Sequence, residues 1–399
     1  MSTHAPVRPS YAAVLRLPGA RRAFTAALTA RLSYGTVSLA VMLSVTRATG
    51  SYAVSGMVMS LFGAASVFLM PVRGALIDRH GPRRALAPMA LLYGALLTLL
   101  AALTWRPGAP VALLAAAATL AGACTPPLGP TMRALWAELA PDRHLLQRAY
   151  SLDGVAEELL FVSGPVLVGV LTGFAPPAAG ILLSALLITA GTGVFVASPV
   201  LPGPRPATRG ARLGGVSGLL APATVALCVG LALSGVDLLT MAYASAHGYD
   251  TDLVPWALGA LSAGSALGGL ANGAVRWTAP ARTRLARFSV ALGLVVAVAG
   301  LAPDLWVLTA ALALAGVFVA PTLTTAYLAA DESVTAESRT RAGAWVNMGV
   351  NAGSSAGALV TGLLIGRMPL GVCFLVAGST ALVSAAMAGA GGLTRPRRG

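Results

Sequence analysis

A few ionisable side chains lie inside apolar stretches that are long enough to cross a lipid bilayer. Arg31 and Arg133 lie in or beside two such stretches, and Glu157 and Glu158 lie in a third, after Asp153. A charge at the centre of a membrane costs roughly 2.5–3.5 kcal/mol on insertion scales, which makes each of these residues a candidate for function. With a helical rise of about 1.5 Å per residue, all of them come within roughly 15 Å of one membrane face and can meet. They form either an ion-pair cluster that holds helices together or a proton relay or anion site that uses Glu157 and Arg31.

Asp237 is a separate candidate, because it is the only acid well inside an apolar stretch in the second half of the chain. No basic residue is near it in sequence, and the surrounding residues read ALSGVDLLTMAYA. One interpretation is an aspartate near the mouth of the molecule that is bonded to Ser or Thr neighbours. The other interpretation depends on whether its helix lines a cavity.

The stretch GALIDRHGPRRAL, residues 74–86, concentrates charge between two apolar runs. Gly74 and Gly81 allow close backbone approach and a tight turn, and we expect the whole stretch to form a loop. Arg79, Arg83 and Arg84 are typical of a loop that stays on the cytoplasmic side. Asp78 is the unusual member, since an acid among arginines can cap the N-terminus of a neighbouring helix.

The composition places these residues in a membrane protein. The 399-residue chain is 56% hydrophobic and 10% charged, whereas soluble domains carry roughly 25% charged residues. All 27 basic residues are arginine, so a P-loop lysine and a Schiff-base lysine are both excluded. The three cysteines and four histidines show no ligand spacing, and we predict neither a metal nor a cofactor.

Twelve apolar runs are long enough to cross a bilayer as helices. They span residues 23–45, 54–72, 85–103, 111–130, 152–174, 178–197, 219–242, 253–275, 286–302, 305–328, 342–365 and 370–390. With the N-terminus inside, 22 arginines lie in cytoplasmic segments and three in outside loops. This asymmetry predicts that both termini are cytoplasmic. The net charge of +14 then faces anionic lipid at the inner leaflet, so we do not predict binding to nucleic acid.

The two halves of the chain repeat weakly. Residues 199–218 are rich in Pro, Gly and Arg, and we predict a cytoplasmic linker there between a bundle at 1–198 and a bundle at 219–399. At an offset of 194, Gly122 and Pro127 meet Gly316 and Pro321. Such matches fit two parallel six-helix repeats, an arrangement found in transporters.

The order of residues in 74–86 resembles a motif of the major facilitator superfamily. The family's loop between helices 2 and 3 reads Gly-x-Leu-Ala-Asp-Arg-x-Gly-Arg-Lys/Arg-x-x-Leu, and Pro82 departs from its usual Arg. The matching residues here are Gly74, Leu76, Asp78, Arg79, Gly81, Arg83, Arg84 and Leu86. The resemblance implies twelve helices in two bundles and a latch between the bundles that stabilises the outward-open state. It also implies that Asp78 lies near the start of helix 11, close to Arg341 or Ala342.

A second resemblance lies in the fifth predicted helix, at VSGPVLVG, residues 162–169. Gly164, Pro165 and Gly169 resemble the Gly-Pro motif of family members that work as antiporters, although that motif is longer and richer in glycine. A Gly-rich packing face is the alternative interpretation. Many drug/proton antiporters of the family have an Arg four residues before a Gly early in helix 4, whereas position 118 here is Ala.

The family's central cavity is lined by helices 1, 4, 7 and 10, which here carry few polar residues. They are Ser33, Tyr34, Thr36, Asp237, Tyr243 and Tyr327. So sparse a set favours an amphiphilic substrate over a sugar. Asp237 on helix 7 is then a candidate to carry a proton or to bind a cationic substrate. On helix 11, Gly349, Gly353 and Gly357 predict close packing, and Asn347 and Asn351 share one face.

Together these features predict an all-α membrane protein in two six-helix bundles that exports a small amphiphilic molecule in exchange for protons. We expect it to work as a monomer in the inner membrane. An uptake permease or facilitator of the same fold is the first alternative. A membrane receptor or enzyme is the second, but the sequence shows no soluble domain, catalytic constellation or cofactor motif.

Overall fold

The computed structural model describes residues 10–201, 216–250 and 253–390, with side chains described throughout except at 216, 217 and 387–390. The described residues form fifteen α-helices and one 3-10 turn, Ala336–Ser338. The helices are α1 (Tyr11–Leu15), α2 (Ala20–Thr49), α3 (Tyr52–Phe68), α4 (Met70–His80), α5 (Pro82–Thr104), α6 (Val111–Cys124), α7 (Leu128–Leu139), α8 (Arg143–Thr172), α9 (Ala178–Val196), α10 (Val216–Ala246), α11 (Val254–Ala274), α12 (Ala281–Ala299), α13 (Leu305–Asp331), α14 (Arg339–Leu364) and α15 (Leu370–Ala390).

Each of the twelve predicted runs lies mainly on helical backbone. The second run covers α3 and the first turn of α4, the fourth covers α6 and the first turn of α7, and each of the others matches one helix. Of the helices in the described ranges, eight are long and apolar enough to span a membrane when α6 and α7 are counted together. The bent pair α3–α4 makes a ninth. Helices α12 and α14 and the described part of α15 do not meet the same requirements of length and apolar composition. The predicted count of twelve spans therefore remains a prediction, although the all-helical architecture is confirmed.

The helices pack as two bundles, α2–α9 and α10–α15. Glycine lets the tightest pairs approach closely, as predicted for α14: a Cβ at Gly349, Gly353 or Gly357 would collide with the backbone of α10. Between the bundles, α8 packs against α11 and α13, and α14 packs against α4 and α7. We call the end of the molecule where α2 and α5 begin and α4 ends the arginine-rich end.

Two of the predicted runs are broken rather than continuous. The axis bends by 42° between α3 and α4, where Pro71 occupies the first turn of α4. The sequence Thr125-Pro126-Pro127 separates α6 from α7, because two consecutive prolines supply no N–H for a helical ladder. The single helix predicted over 111–130 is thus wrong, and the break exposes carbonyls that need other partners.

The predicted loop at 74–86 is almost entirely helical. Helix α4 continues to His80 and α5 begins at Pro82, so only Gly81 interrupts them, with φ 81° and ψ 151°. Only glycine adopts such a backbone conformation without strain, which is the physical reason for a glycine at this position. The predicted linker 199–218 lies mostly outside the described residues, so the division at that linker stays a prediction.

Candidate functional site

Four charged side chains form a closed ion-pair cluster where α2, α7 and α8 meet. Asp153 Oδ1 lies 2.7 Å from Arg31 Nη1, and Asp153 Oδ2 lies 3.0 Å from Arg133 Nε. Glu157 Oε1 lies 3.0 Å from Arg31 Nη2, and its Oε2 binds Arg133 Nη2. Asp153 is fully buried, and both arginines are nearly so. Two positive and two negative charges therefore neutralise each other within the protein, as burial of charge requires.

The structure brings together the residues that the sequence predicts can meet, with two differences. Asp153, which is not among the predicted site residues, is the centre of the cluster. Its spacing from Glu157, one helical turn on the same face of α8, is the signal that identifies it. The second difference is Glu158, which lies outside the cluster.

Arg133 also links the cluster to the second bundle. Its guanidinium carbon lies 3.8 Å from the centre of the Tyr327 ring, on α13. A guanidinium over an aromatic face is an attractive cation–π contact. The ion-pair cluster is thus in direct contact with the opposite bundle.

A two-lobed cavity lies beside this cluster, at the boundary between the bundles. Lobe A, of about 250 Å³, is walled by α7, α8, α10, α13 and α14. Lobe B, of about 230 Å³, is walled by α2 to α5, by the segment between α6 and α7, and by α7, α8 and α14. Glu157, Phe161, Asn347 and Asn351 line both lobes. The predicted asparagine pair faces this cavity, where Asn351 Nδ2 donates to Asn347 Oδ1 at 2.7 Å.

Tyr34 lies in lobe B, at the break in the fourth run. Its hydroxyl donates a hydrogen bond to the carbonyl oxygen of Pro126, between α6 and α7. The walls of this lobe are otherwise mainly apolar and aromatic and include Met59, Phe62 and Tyr93. Tyr34 thus adds a second donor to a carbonyl at the break that also accepts from the backbone N–H of Leu128.

The two remaining candidate acids, Glu158 and Asp237, differ in whether they line the cavity. Glu158 lines lobe A and accepts a hydrogen bond through Oε1 from the Ser265 hydroxyl of α11. Asp237 is exposed and lies one helical turn beyond Leu233, on the face of α10 that reaches lobe A. It is not among the residues that line either lobe.

At the arginine-rich end, Asp78 joins the two bundles. Its Oδ1 accepts from the backbone N–H of Thr340 at 3.2 Å, and its Oδ2 accepts from that of Arg341 at 2.9 Å. These N–H groups lie in the first turn of α14, where no carbonyl of the same helix can accept from them, and at the positive end of the helix dipole. A carboxylate is well suited to that position, and it lies where the motif implies.

A second contact at the same end has the opposite polarity. On α8, Arg148 Nε donates to the carbonyl oxygen of Gly273 at 2.8 Å, and Arg148 Nη2 donates to that of Ala274 at 3.1 Å. These carbonyls end α11, where the helix dipole is negative. The neighbouring Gln147 donates to the carbonyl of Asn272 and accepts from Arg284 Nη1 at 2.6 Å.

The short N-terminal helix α1 adds to this contact. The Tyr11 hydroxyl donates to the carbonyl oxygen of Leu270, near the end of α11. Burial raises the pKa of Tyr11 to about 12, partly offset by the positive charge of Arg148, so the hydroxyl keeps its proton at neutral pH. Helices α1 and α8, which are far apart in sequence, therefore both bind the C-terminal end of α11.

The match to a protein-family model decides the family. The model of the Major Facilitator Superfamily matches residues 23–297, from the start of α2 almost to the end of α12. The chain belongs to the Major Facilitator Superfamily. It is accordingly a multi-pass membrane protein of a transporter family, as the resemblance predicts.

Solved structures of superfamily transporters share the fold. A bacterial homologue of the iron transporter ferroportin, in an outward-facing state, has a TM-score of 0.76 at 12% identity, covering 94% of this chain and 99% of that chain. The E. coli fucose:proton symporter FucP has a TM-score of 0.68 at 14% identity, covering 95% and 99%. The human organic anion transporter MFSD10 has a TM-score of 0.69 at 16% identity, covering 95% and 100%. No curated protein matches the sequence significantly.

The other residues of the superfamily motif have separate surroundings. Gly74 lies against α14, where a Cβ would come within 3.0 Å of Arg341 Cα and 3.1 Å of Ala344 Cβ. Arg83 Nη2 donates to the carbonyl of Ser198 at the end of α9, at 2.9 Å. Arg79 and Arg84 are exposed. Contact with the second bundle is therefore made by Gly74 and Asp78.

The Gly-Pro motif of α8 is only partly a packing face. A Cβ at Gly164 would collide with the backbone of Gly35, so α8 and α2 are in backbone contact there. A Cβ at Gly169 would meet nothing within 4 Å, and Pro165 is exposed. The packing interpretation therefore holds for Gly164 and fails for Gly169.

Besides Arg148, two arginines that the sequence assigns to cytoplasmic loops are buried in the structure. Arg73 Nη1 donates to the carbonyl of Gly122 at 2.6 Å and to that of Ala123 at 3.1 Å, and its Nη2 donates to that of Ser66. One guanidinium thus satisfies open carbonyls at both helix breaks. The other is Arg284, in the contact with Gln147. Neither was predictable from charge counts along loops.

Proposed function

We propose that the chain is a secondary active transporter that exports a small amphiphilic molecule in exchange for protons, by alternating access. The observation that carries the proposal is the two-lobed, mainly apolar cavity at the boundary between bundles that are joined at the arginine-rich end. Rocking of two such bundles opens a central site to each side in turn. The cavity's few polar groups suit an amphiphile better than a sugar.

We place the arginine-rich end in the cytoplasm of the cell that makes the protein. The arginine asymmetry supports this orientation, with both termini inside and the protein in the inner membrane. The contacts at that end then correspond to an outward-facing state. Division into an N-terminal bundle at 1–198, a linker at 199–218 and a C-terminal bundle at 219–399 belongs to the same proposal, as does function as a monomer.

The motif residues Gly74, Asp78, Arg79, Gly81, Arg83 and Arg84 form the conformational latch of this scheme. The hydrogen bonds of Asp78 to the N-terminus of α14 support the assignment, because they must break before the bundles separate at that end. The close approach of Gly74 to α14 adds a steric reason. Gly81 permits the abrupt turn between α4 and α5.

Protons and substrate act in the central region. The candidates on the first bundle are Glu157, Arg133 and Tyr34, which line the cavity, and Arg31, which binds Glu157. Asp237 remains a candidate because it has no cation partner in the described part of the chain and lies just beyond lobe A. Export rather than uptake rests on the Gly164, Pro165 and Gly169 motif of antiporter members.

The deciding experiment follows proton flux in inside-out membrane vesicles. The vesicles are energised until their interior is acidic, and a panel of hydrophobic cations, neutral antibiotics and sugars is added while a pH-sensitive dye is recorded. Loss of the acid interior on addition of one class, absent in vesicles without the protein, is the expected result. If the inserted protein responds to no compound in this assay but accumulates a solute in right-side-out vesicles, it is an uptake carrier and the proposal is wrong.

A further inference from the structure

Two acids line lobe A, and they differ in how their charges are balanced. Glu157 is bound by Arg31 and Arg133. Glu158 has no salt bridge in the described part of the chain, and its Oε2 is buried without a hydrogen-bond partner there. Burying an unpaired carboxylate is costly, so this site favours a ligand that neutralises it.

No cation of the ion-pair cluster is available to Glu158. Arg31 and Arg133 are both shared between Asp153 and Glu157, and the cluster is neutral as a whole. Arg133 is further held against the ring of Tyr327. From α11 the group that meets Glu158 is the uncharged hydroxyl of Ser265. A bound cation can therefore supply the positive charge that balances the Glu158 carboxylate.

The walls of lobe A indicate what that molecule looks like. They are mainly apolar, with Leu233, Val319 and Leu323 from the second bundle and Phe161 from the first. Tyr150 adds aromatic surface, and so does Tyr327, one face of which is covered by Arg133. Apolar walls bind hydrophobic ligand surface, and aromatic rings attract organic cations through their faces.

We propose that lobe A is the binding site for a hydrophobic monovalent cation and that Glu158 is the residue that receives its positive charge. This inference rests on the proposed function, and it narrows the amphiphilic substrate to one charge type. Ser265 is a positioning residue, because its bond to Oε1 fixes the carboxylate against α11. The site also spans the two bundles, so a bound cation contacts both.

The test is equilibrium binding to the full chain in lipid nanodiscs, with empty nanodiscs subtracting partition into lipid. The probes are tetraphenylphosphonium and tetraphenylborate, which share size and shape but carry opposite charge. Wild-type protein is expected to bind the phosphonium and not the borate. Glu158→Gln is expected to weaken phosphonium binding by about tenfold or more, because an isosteric amide keeps the hydrogen bond but not the charge.

Ser265 is tested with matched variants. Ser265→Ala is expected to weaken phosphonium binding by roughly two- to tenfold, the worth of one hydrogen bond, without changing the preference for the cation. Ser265→Thr keeps the hydroxyl and is expected to restore binding. If alanine and threonine weaken binding equally, Ser265 acts only by packing and its positioning role is wrong.

Two outcomes overturn the cation site. One is equal binding of phosphonium by wild type and a correctly folded Glu158→Gln variant. The other is loss of binding in Asp237→Asn with retention in Glu158→Gln, which assigns the charge to Asp237. Failure here is distinguishable from failure of the proposed function: proton flux driven by a neutral or anionic compound keeps export and excludes the cation site.

Discussion

The carboxylate of Asp78 lies 2.9 Å from the backbone nitrogen of Arg341, so the end of α4 caps the beginning of α14 across the boundary between the bundles. At the same end, Arg148 of α8 caps the last carbonyls of α11. One contact places a negative side chain on the positive end of a helix, and the other places a positive side chain on a negative end. Both pairs must separate together if the bundles open there.

Replacing Asp78 with Asn is expected to weaken the contact with α14. Hydrogen bonds to a charged group are worth about 1.5–3 kcal/mol, so losing the charge shifts the open population at this end by about tenfold or more. Transport is expected to be impaired while membrane insertion is retained. Distances between spin labels on α4 and α14 measure the shift. Arg22→Gln, at an exposed position of the same end outside the motif, is the control, and unchanged distances in Asp78→Asn contradict the latch.

Replacing Arg148 with Gln is expected to open the same end through α8 and α11. The glutamine keeps some polarity but loses the charge and the fork of donors. Spin labels on α8 and α11 report the separation directly. Arg148→Lys is the matched variant, which keeps the positive charge but not the fork of donors. Because Asp78 and Arg148 act on different helix pairs, the double variant is expected to be more open than either single variant. A double variant no more open than Asp78→Asn shows that Arg148 contributes nothing to closure.

The ion-pair cluster predicts a large stability loss on removing Asp153. Asp153→Asn leaves two buried arginines with one carboxylate, and an uncompensated buried charge costs about 3–5 kcal/mol. Thermal unfolding of the purified protein measures the loss. Adding Arg31→Gln restores the charge balance and is expected to recover part of it, as coupled residues in contact do. Additive losses in the double variant indicate that the pair does not interact.

The two glycines of the α8 motif provide a matched pair. Gly164→Ala places a methyl group against the backbone of Gly35, and overpacking of this kind costs about 1–3 kcal/mol. Gly169→Ala places the same methyl group in open space, and we expect its unfolding temperature to be no lower than that of the wild type, because Ala favours a helix over Gly. Thermal unfolding of both variants in one detergent compares them. Equal unfolding temperatures in the two variants contradict the backbone contact between α8 and α2.

The assignment of Asp237 to proton coupling predicts a change in pH dependence. Asp237→Asn removes the only titratable group of this turn of α10, so substrate-driven proton flux is expected to vanish while substrate still binds. Flux in inside-out vesicles at several external pH values measures this. A variant that transports with the wild-type pH dependence shows that another group carries the proton.

Much of the architecture follows from the sequence alone. The positions of the helical segments depend on the length and spacing of apolar runs, which can be read directly from the order of residues. The position of Asp78 near Arg341 followed from a motif with a fixed order of residue types. The breaks at Leu69 and at Thr125–Pro127 were missed, because a run that is apolar throughout looks the same whether or not its backbone is continuous.

The tertiary structure alone decided which charges are balanced. Glu157 and Glu158 are adjacent in sequence and identical in chemistry, yet successive residues of a helix point roughly 100° apart. One therefore faces Arg31 and Arg133, and the other faces lobe A and Ser265. The same holds for Arg73, which a charge count assigns to a loop and the fold turns inward onto the carbonyls of two broken helices. Hydropathy locates the apolar helical segments, but the rotation of each helix against its neighbours decides what each side chain meets.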